Sequence, residues 1–145
     1  MAKPYIMRNI FLAAVVILSV ASFNSCKKNN NTDPGYAELQ GDWELITRTG
    51  GIVGDSVKFS FGNGNTYSFK NDTYTKLTPQ QMSKTGIYKV TRDSSSITRQ
   101  PTTRIIFDNN QTAVKTLIRF GNLRMFITED VVDGFTYEYR KVLSF

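Results

Sequence analysis

Cys26 is the only cysteine of the chain, and the sequence contains no histidine. A lone thiol cannot form an intramolecular disulfide, so its chemistry lies in reaction with another molecule. The segment before it has three parts: a start with the cations Lys3 and Arg8, an apolar run over residues 10–20, and small or polar residues up to the cysteine. This pattern is typical of a secretory signal peptide. The apolar run is shorter than the ~20 residues that cross a bilayer core, so we predict a leader over residues 1–25.

The residues around this cysteine resemble a bacterial lipobox. Phe23 takes the place of the usual aliphatic residue, Ser25 directly precedes Cys26, and Lys27 and Lys28 follow it, as in some Gram-negative lipoproteins. The resemblance implies that the thiol is acylated, that the leader is removed, and that Cys26 becomes the first mature residue. Two or three acyl chains anchor a protein stably, because each buried CH₂ contributes about 0.8 kcal/mol. The alternative is an ordinary secreted protein, cut near Ser25, with a free thiol.

The same resemblance implies a destination for the protein. In many Gram-negative bacteria an Asp directly after the acylated Cys retains a lipoprotein in the inner membrane, and Lys27 occupies that position here. We therefore expect lipid anchoring to the outer membrane. The stretch after Cys26 has no acidic run of the kind that resembles a surface-export signal, so we expect the domain to face the periplasm.

The lack of histidine removes the usual general base and metal ligand. Ser-His and Cys-His nucleophiles and His-based zinc sites are therefore excluded, and we predict no enzyme, no cofactor and no metal. One acidic group, Glu129, Asp130 and Asp133, could surround a calcium ion, but three carboxylates in a turn are more often solvated. The 18 basic residues exceed the 12 acidic ones modestly and are scattered singly, so nucleic acid is not an expected partner.

Aromatic side chains are the remaining candidates for a binding site. The chain has 10 Phe, 7 Tyr and 1 Trp, which is dense for its size. These rings could line a cavity that holds a small hydrophobic ligand, and Phe126, Tyr137 and Tyr139 are the predicted contacts because they stand near the centres of long strands. The alternative is that the rings fill the interior, since a small barrel is only just wide enough for its own side chains.

The part of the chain that must position these rings is predicted to be one all-β domain over residues 36–145. Residues 26–35 are polar or small and form a tether. Beyond a single helical turn at Tyr36–Leu39, short runs rich in Val, Ile, Thr, Tyr and Phe alternate with turn residues. The predicted strands are 41–49, 55–61, 66–70, 73–77, 84–91, 96–100, 104–108, 114–120, 123–128 and 134–143.

Two hairpins are predicted from their turn residues. Gly121-Asn122 suits a two-residue turn of type II′, and Gly62-Asn63-Gly64-Asn65 suits a slightly longer loop. Sequential antiparallel pairing leaves exposed edges unless the sheet closes on itself. The predicted fold is therefore all-β, an antiparallel meander closed into a small up-and-down barrel of about 8 to 10 strands.

Two separated motifs suggest a family. Gly41-Asp42-Trp43 opens the first predicted strand, and Arg140 lies in the last one. This combination resembles the structural signature of lipocalins, and the terminal Tyr-x-Arg is similar to the endings of lipocalin-like domains in bacterial lipoproteins. The resemblance implies a barrel whose end is closed by the Trp43 indole packed under the Arg140 guanidinium, while Gly41 lets the chain pass close beneath. It gives these three residues a structural role.

Two functions remain open from the sequence. The first is a lipid-anchored binding module of the cell envelope that accepts a small hydrophobic ligand in a lipocalin-like barrel. The second is a structural or interaction module whose filled barrel binds another envelope protein through its loops. A pocket below the ~300 Å³ that is typical of ligand sites would favour the second function.

Overall fold

The computed structural model describes residues 34–143. The predicted leader, Cys26 and most of the predicted tether lie outside these residues. Among the described residues, no helix is long and apolar enough to cross a membrane. The elements are α1 (Pro34–Leu39), β1 (Gly41–Gly50), β2 (Asp55–Lys58), β3 (Thr66–Lys70), β4 (Thr73–Leu77), β5 (Lys84–Ser94), β6 (Pro101–Phe107), β7 (Thr116–Gly121), β8 (Arg124–Glu129) and β9 (Thr136–Val142).

The strands form one closed antiparallel barrel. From β3 to β9 each strand pairs with the next along the chain, and β9 pairs with β1 to complete the ring. On its other side β1 pairs with β3 through residues 41–44 and with β2 through residues 47–50. Eight strands therefore make the barrel, and β2 is an extra strand beside β1. The predicted all-β barrel is confirmed. Closure pairs the first and last strands of the ring, which would otherwise expose unpaired backbone groups at the edges of the sheet.

Side chains alternate between the two faces of each strand, and those on the inner face are mostly apolar or aromatic and fill the barrel. Trp43 and Leu45 of β1 are buried, and their partners across the β1–β9 pairing are Lys141 and Tyr139. The register shifts between Leu45 and Thr47, where β1 contains a bulge. The buried core consists of Leu39, Trp43, Leu45, Tyr67, Phe69, Tyr74, Tyr88, Ile105, Ile118, Met125, Ile127 and Tyr139.

Helix α1 closes one end of the barrel, which we call the closed end. Leu39 is fully buried, and its carbonyl oxygen accepts a hydrogen bond from Trp43 Nε1 at 2.7 Å. The Gln40 side chain accepts from the Asn71 backbone N–H at 2.8 Å and donates to the Tyr88 hydroxyl at 2.8 Å. These bonds fix the helix across the strand ends, because each buried polar group there has a partner. The helix begins two residues before the predicted turn Tyr36–Leu39.

The predicted turn between β7 and β8 is wrong by one residue. Gly121 pairs with Arg124, so the two central residues are Asn122 and Leu123, with φ of 49° and 59°. Two positive φ values define a type I′ turn, not the predicted type II′, and the type I′ twist also suits a hairpin. Asn adopts the left-handed region readily, which places it at the first central position.

The predicted hairpin around residues 62–65 is also wrong. β2 and β3 both pair with β1 and not with each other. The connection between them crosses the outer wall, where the Asn63 side-chain amide donates to the Leu45 carbonyl oxygen at 2.9 Å and its backbone N–H donates to Glu44 at 3.0 Å. Those bonds replace the ladder that a hairpin would form.

The predicted strand 96–100 is instead the turn between β5 and β6. The Asp130 carboxylate holds this turn: it accepts a hydrogen bond from Ser95 Oγ at 2.7 Å and another from the Ser96 backbone N–H. Burial alone would raise the pKa of the Asp130 carboxyl, but these hydrogen bonds outweigh it and keep the pKa below its ordinary value. The backbone closes on itself here, because Ser95 N–H donates to the Gln100 carbonyl oxygen at 3.0 Å and Arg99 N–H donates to the Ser95 carbonyl oxygen at 3.1 Å.

Candidate functional site

A pocket of about 270 Å³ lies at the end of the barrel opposite α1, which we call the open end. β1 and β4 run away from the closed end and finish beside this pocket. The rings of Trp43 and Phe69 fill the barrel nearer the closed end, so the pocket occupies only the mouth. Its walls are Leu45, Arg48, Phe59, Asn65, Thr66, Tyr67, Lys76, Leu77, Thr78, Tyr137 and Tyr139.

Two tyrosines in the pocket wall are deeply buried without a hydrogen bond. Tyr67 is 8% exposed and Tyr139 is 5% exposed, and their rings meet edge to face with centroids 5.6 Å apart. Neither hydroxyl has a hydrogen-bond partner within residues 34–143. Among the described residues, only one side-chain atom, Arg104 Nε, is both fully enclosed and without a hydrogen-bond partner. The two tyrosine oxygens also have no partner, so they cannot be fully enclosed and must keep some accessible surface. The two hydroxyls are thus reachable from the pocket.

The protonation of these tyrosines follows from their burial. Loss of hydration disfavours the phenolate and raises the pKa of both Tyr67 and Tyr139 well above its usual range, and neighbouring tyrosines add to the shift. Burial also raises the pKa of Tyr137, with Glu129 adding to the effect and Arg48 opposing it. The hydroxyls are therefore neutral at physiological pH, and each can donate one hydrogen bond.

The charged residues in the pocket wall are both cations. Arg48 and Lys76 line the pocket, and neither forms an ion pair within the described residues. Lys76 Nζ lies 5.4 Å from the centroid of the Tyr67 ring, and the Arg48 guanidinium carbon lies 5.1 Å from that of Phe135. These cation–π contacts orient the two side chains but leave their charge uncompensated by a carboxylate.

The nearby carboxylates are engaged elsewhere. Asp108 pairs with Lys84 at 2.8 Å and accepts from the Tyr74 hydroxyl at 3.0 Å. Glu129 accepts from the Phe135 backbone N–H at 3.1 Å and makes a long contact of 3.5 Å with the Tyr137 hydroxyl. Neither lines the pocket.

The structure places the three predicted ligand contacts on two different faces. Tyr137 and Tyr139 line the pocket, two positions apart on β9. Phe126 was predicted to line the interior, but its neighbours Met125 and Ile127 are the buried residues of β8, so Phe126 lies on the outer face. The Arg119 guanidinium carbon lies 4.4 Å from its ring centroid. The prediction for Phe126 is therefore wrong.

Trp43 and Arg140, which were predicted to pack together and close the barrel, lie on opposite faces of the sheet. The cation over Trp43 is Lys141, with Nζ 5.1 Å from the ring centroid, because Trp43 faces Lys141 across the β1–β9 pairing. Arg140, one residue earlier, lies on the other face and holds Glu44 through Nε at 3.0 Å and Nη2 at 2.7 Å. Gly41 has φ of 107°, a conformation that other residues rarely adopt, at the point where the chain enters β1.

The acidic trio and two larger clefts are weaker candidates. Glu129, Asp130 and Asp133 do not form a group that could hold a metal ion, and no such group occurs within residues 34–143. A cleft of about 350 Å³ beside Trp43 and Lys141 and another of about 400 Å³ beside Asp130 lie elsewhere on the barrel. Their buried polar groups, the Trp43 indole and the Asp130 carboxylate, already have partners. We therefore take the pocket at the open end as the candidate site.

Comparison with known proteins offers no precedent for this pocket. No protein-family model, no curated protein and no solved structure matches the chain. The resemblance to lipocalins and to the lipobox therefore stays a prediction from the residues named above. Lys76 and Arg48 were missed by the sequence reasoning, and Tyr67 was not among the three predicted contacts. The facing positions of Tyr67 and Lys76 across a two-residue turn at Asn71-Asp72 could have indicated that pair.

Proposed function

We propose that this protein is a lipid-anchored lipoprotein of the cell envelope whose barrel binds a small amphipathic molecule at its open end. The observation that carries the binding function is the pair of buried hydroxyls of Tyr67 and Tyr139, which have no partner within the described residues. Both oxygens keep accessible surface, so their hydrogen-bond partner must be a molecule that enters the pocket, either water or a ligand. A ligand that supplies partners to both groups would replace water there.

The size of the pocket limits the ligand. At about 270 Å³ it lies below the ~300 Å³ that is typical of ligand sites, so the volume taken alone favours the interaction module, and only a ligand smaller than a drug-sized molecule fits. The rest of the interior is filled, as the alternative function expects. The proposed ligand is therefore small and enters only the mouth, with its apolar part against Phe59, Leu45 and the tyrosine rings.

The binding function can be tested by incubating the full chain carrying Cys26→Ser with a mixed lipid extract and looking for retained small molecules by native mass spectrometry. We expect a retained species in this protein, and its loss in the variants Tyr67→Phe and Tyr139→Phe. Phe126→Ala is the matched control, because it removes a ring from the outer wall of the same barrel. Retention that is equal in all four proteins would contradict the proposed site.

The anchoring part of the proposal has its own support and its own test. It is supported by the three-part leader before Cys26 and by Ser25 in front of the thiol. We propose the outer membrane as its location, with the domain in the periplasm, because Lys27 follows the cysteine. Cys26→Ala should give an unprocessed or soluble exported species. If that variant still fractionated with membranes at the mature mass, the lipoprotein proposal would be wrong.

A second function, an interaction module, is favoured by the loops around the same mouth. Ile52 and Val53 in the β1–β2 turn, Met82 in the β4–β5 connection and Val132 in the β8–β9 connection are more than three-quarters exposed, at 91%, 85%, 95% and 76%. The β1–β2 turn and the β8–β9 connection touch, since Gly51 N–H donates to the Asp133 carbonyl oxygen at 3.1 Å. This function would be preferred if no molecule were retained and Ile52→Ser abolished binding to an identified envelope protein.

A further inference from the structure

We infer that the pocket at the open end is an anion site, and that its ligand is a small amphipathic carboxylate. This inference rests on the proposed binding function and adds the chemical class of the ligand. The wall of the pocket joins two cations, two buried hydroxyl donors and an apolar surface within about 270 Å³.

The charge of the wall is the first step. Arg48 and Lys76 line the pocket, no carboxylate does, and neither cation has an ion-pair partner within residues 34–143. Glu129, which contacts the Tyr137 hydroxyl, also accepts from the Phe135 backbone N–H, and Asp108 pairs with Lys84. An anion that entered the mouth would meet two positive charges, and a cation would be repelled. Interactions of this kind are strengthened where protein excludes water.

The hydroxyl groups are the second step. Tyr67 and Tyr139 are more than nine-tenths buried, and their oxygens are reachable from the pocket. A tyrosine hydroxyl that lacks an internal acceptor can donate to a carboxylate oxygen, and such charge-assisted bonds are about twice as strong as neutral ones. A carboxylate has two oxygens, so it can accept from both hydroxyls and still face a cation.

The apolar surface is the third step, and it separates an amphipathic anion from an inorganic one. Leu45, Phe59 and Leu77 line the same pocket as the tyrosine rings. A phosphate or sulfate ion would leave this surface exposed to water, whereas a short hydrocarbon tail would cover it. The ring faces could in principle hold an organic cation, but Lys76 Nζ already lies over the Tyr67 ring at 5.4 Å from its centroid.

The test uses three probes of the same length that differ in charge: octanoate, octanamide and octylamine. Their binding to the full chain carrying Cys26→Ser is measured by isothermal titration calorimetry at low salt. We expect octanoate to bind best. Lys76→Gln and Arg48→Gln should each weaken octanoate roughly tenfold, as loss of one charged partner does, and leave octanamide almost unchanged.

Two matched controls separate a site effect from a change in net charge. Lys89→Gln removes an exposed lysine that does not line the pocket, and Arg119→Gln removes an arginine that, like Arg48, lies over a phenylalanine ring. Both should leave octanoate binding unchanged. A circular dichroism melt of each variant confirms that it is folded.

The possible results distinguish this inference from the function on which it rests. Octanamide or octylamine binding as tightly as octanoate, or equal weakening by the control variants, would overturn the anion site while the binding function stands. A neutral or cationic molecule retained from the lipid extract would do the same. Failure of all three probes, together with no retained molecule, would overturn both.

Discussion

Tyr88 near the closed end and Tyr139 near the open end are equally buried, each 5% exposed, but only Tyr88 has partners for its hydroxyl. Tyr88 donates to the Asn71 carbonyl oxygen at 2.5 Å and accepts from Gln40. Tyr139 has no hydrogen bond within the described residues. The two ends therefore use the same residue type differently: the closed end completes its hydrogen bonds internally, and the open end leaves donors and acceptors for another molecule.

The contrast extends to the charged groups at the two ends. At the closed end, Lys141 lies over the Trp43 ring and its ammonium is 3.5 Å from the Glu38 carbonyl oxygen. At the open end, Arg48 and Lys76 lie beside ring faces and form no ion pair within residues 34–143. We interpret the closed end as the stabilising part of the barrel and the open end as the part available for binding. The difference predicts that mutations at the closed end cost stability, and that mutations at the open end mainly cost binding.

The largest effect is expected from Trp43→Ala. This change removes a nearly fully buried indole and leaves a cavity, which should lower the free energy of unfolding by about 3–5 kcal/mol. It also removes the hydrogen bond to Leu39 that holds α1. Urea denaturation followed by circular dichroism measures the loss. Phe126→Ala, on the outer wall, is the control and should cost less than half as much.

The next effect concerns the outer wall, where β1 and β9 are joined by charge. Glu44 is 4% exposed and receives two hydrogen bonds from Arg140. Arg140→Ala leaves this carboxylate buried with only Asn63 as a partner, so we expect a loss of about 2–3 kcal/mol in unfolding free energy. Arg124→Ala removes a more exposed pair with Glu138 at 3.8 Å and should cost less than about 1 kcal/mol. Equal losses would show that the burial of Glu44 does not matter.

The comparison of the two ends is tested most directly by removing single hydroxyl groups. Tyr88→Phe deletes a satisfied hydrogen bond and leaves Gln40 without its acceptor, so it should cost about 1 kcal/mol. Tyr139→Phe deletes a hydroxyl without a partner and should change stability by less than about 0.5 kcal/mol or raise it slightly. Both values come from urea denaturation of the ligand-free protein. A loss at Tyr139 as large as that at Tyr88 would remove the distinction between the ends.

The fold could be predicted because its signals are local. Short β-branched and aromatic runs between turn residues gave the strands at 66–70 and 73–77 with the observed ends. Closure followed from the instability of free sheet edges. The strand at 96–100 failed because a distant residue, Asp130, binds that turn, and no local pattern reports such a contact.

The candidate site could be predicted only in part, because it depends on register. Side chains alternate between the two faces of a strand, so an error of one residue exchanges the faces. The β7–β8 turn lies one residue later than Gly121-Asn122 implied, and Phe126 lies outside the barrel opposite Glu138. Arg48 lines the pocket because the bulge in β1 shifts the register between Leu45 and Thr47. No local sequence pattern predicts that bulge. Tyr137 and Tyr139 were predicted from their central positions in the last strand, and both line the pocket because alternate residues share one face of β9.

The smallest expected effect concerns the closed end, where it tests whether Lys141 or its neighbour Arg140 is the cation that interacts with Trp43. Because Lys141 and not Arg140 lies over the Trp43 ring, a double-mutant cycle between Trp43→Leu and Lys141→Met should show a coupling free energy of about 0.5 kcal/mol. The same cycle with Arg140→Met should show less, since Arg140 lies on the opposite face with Glu44 and Phe61. Urea denaturation of the three single variants, the two double variants and the parent protein gives both values. A larger coupling with Arg140 would mean that the lipocalin-like pair, predicted from the sequence, closes this end after all.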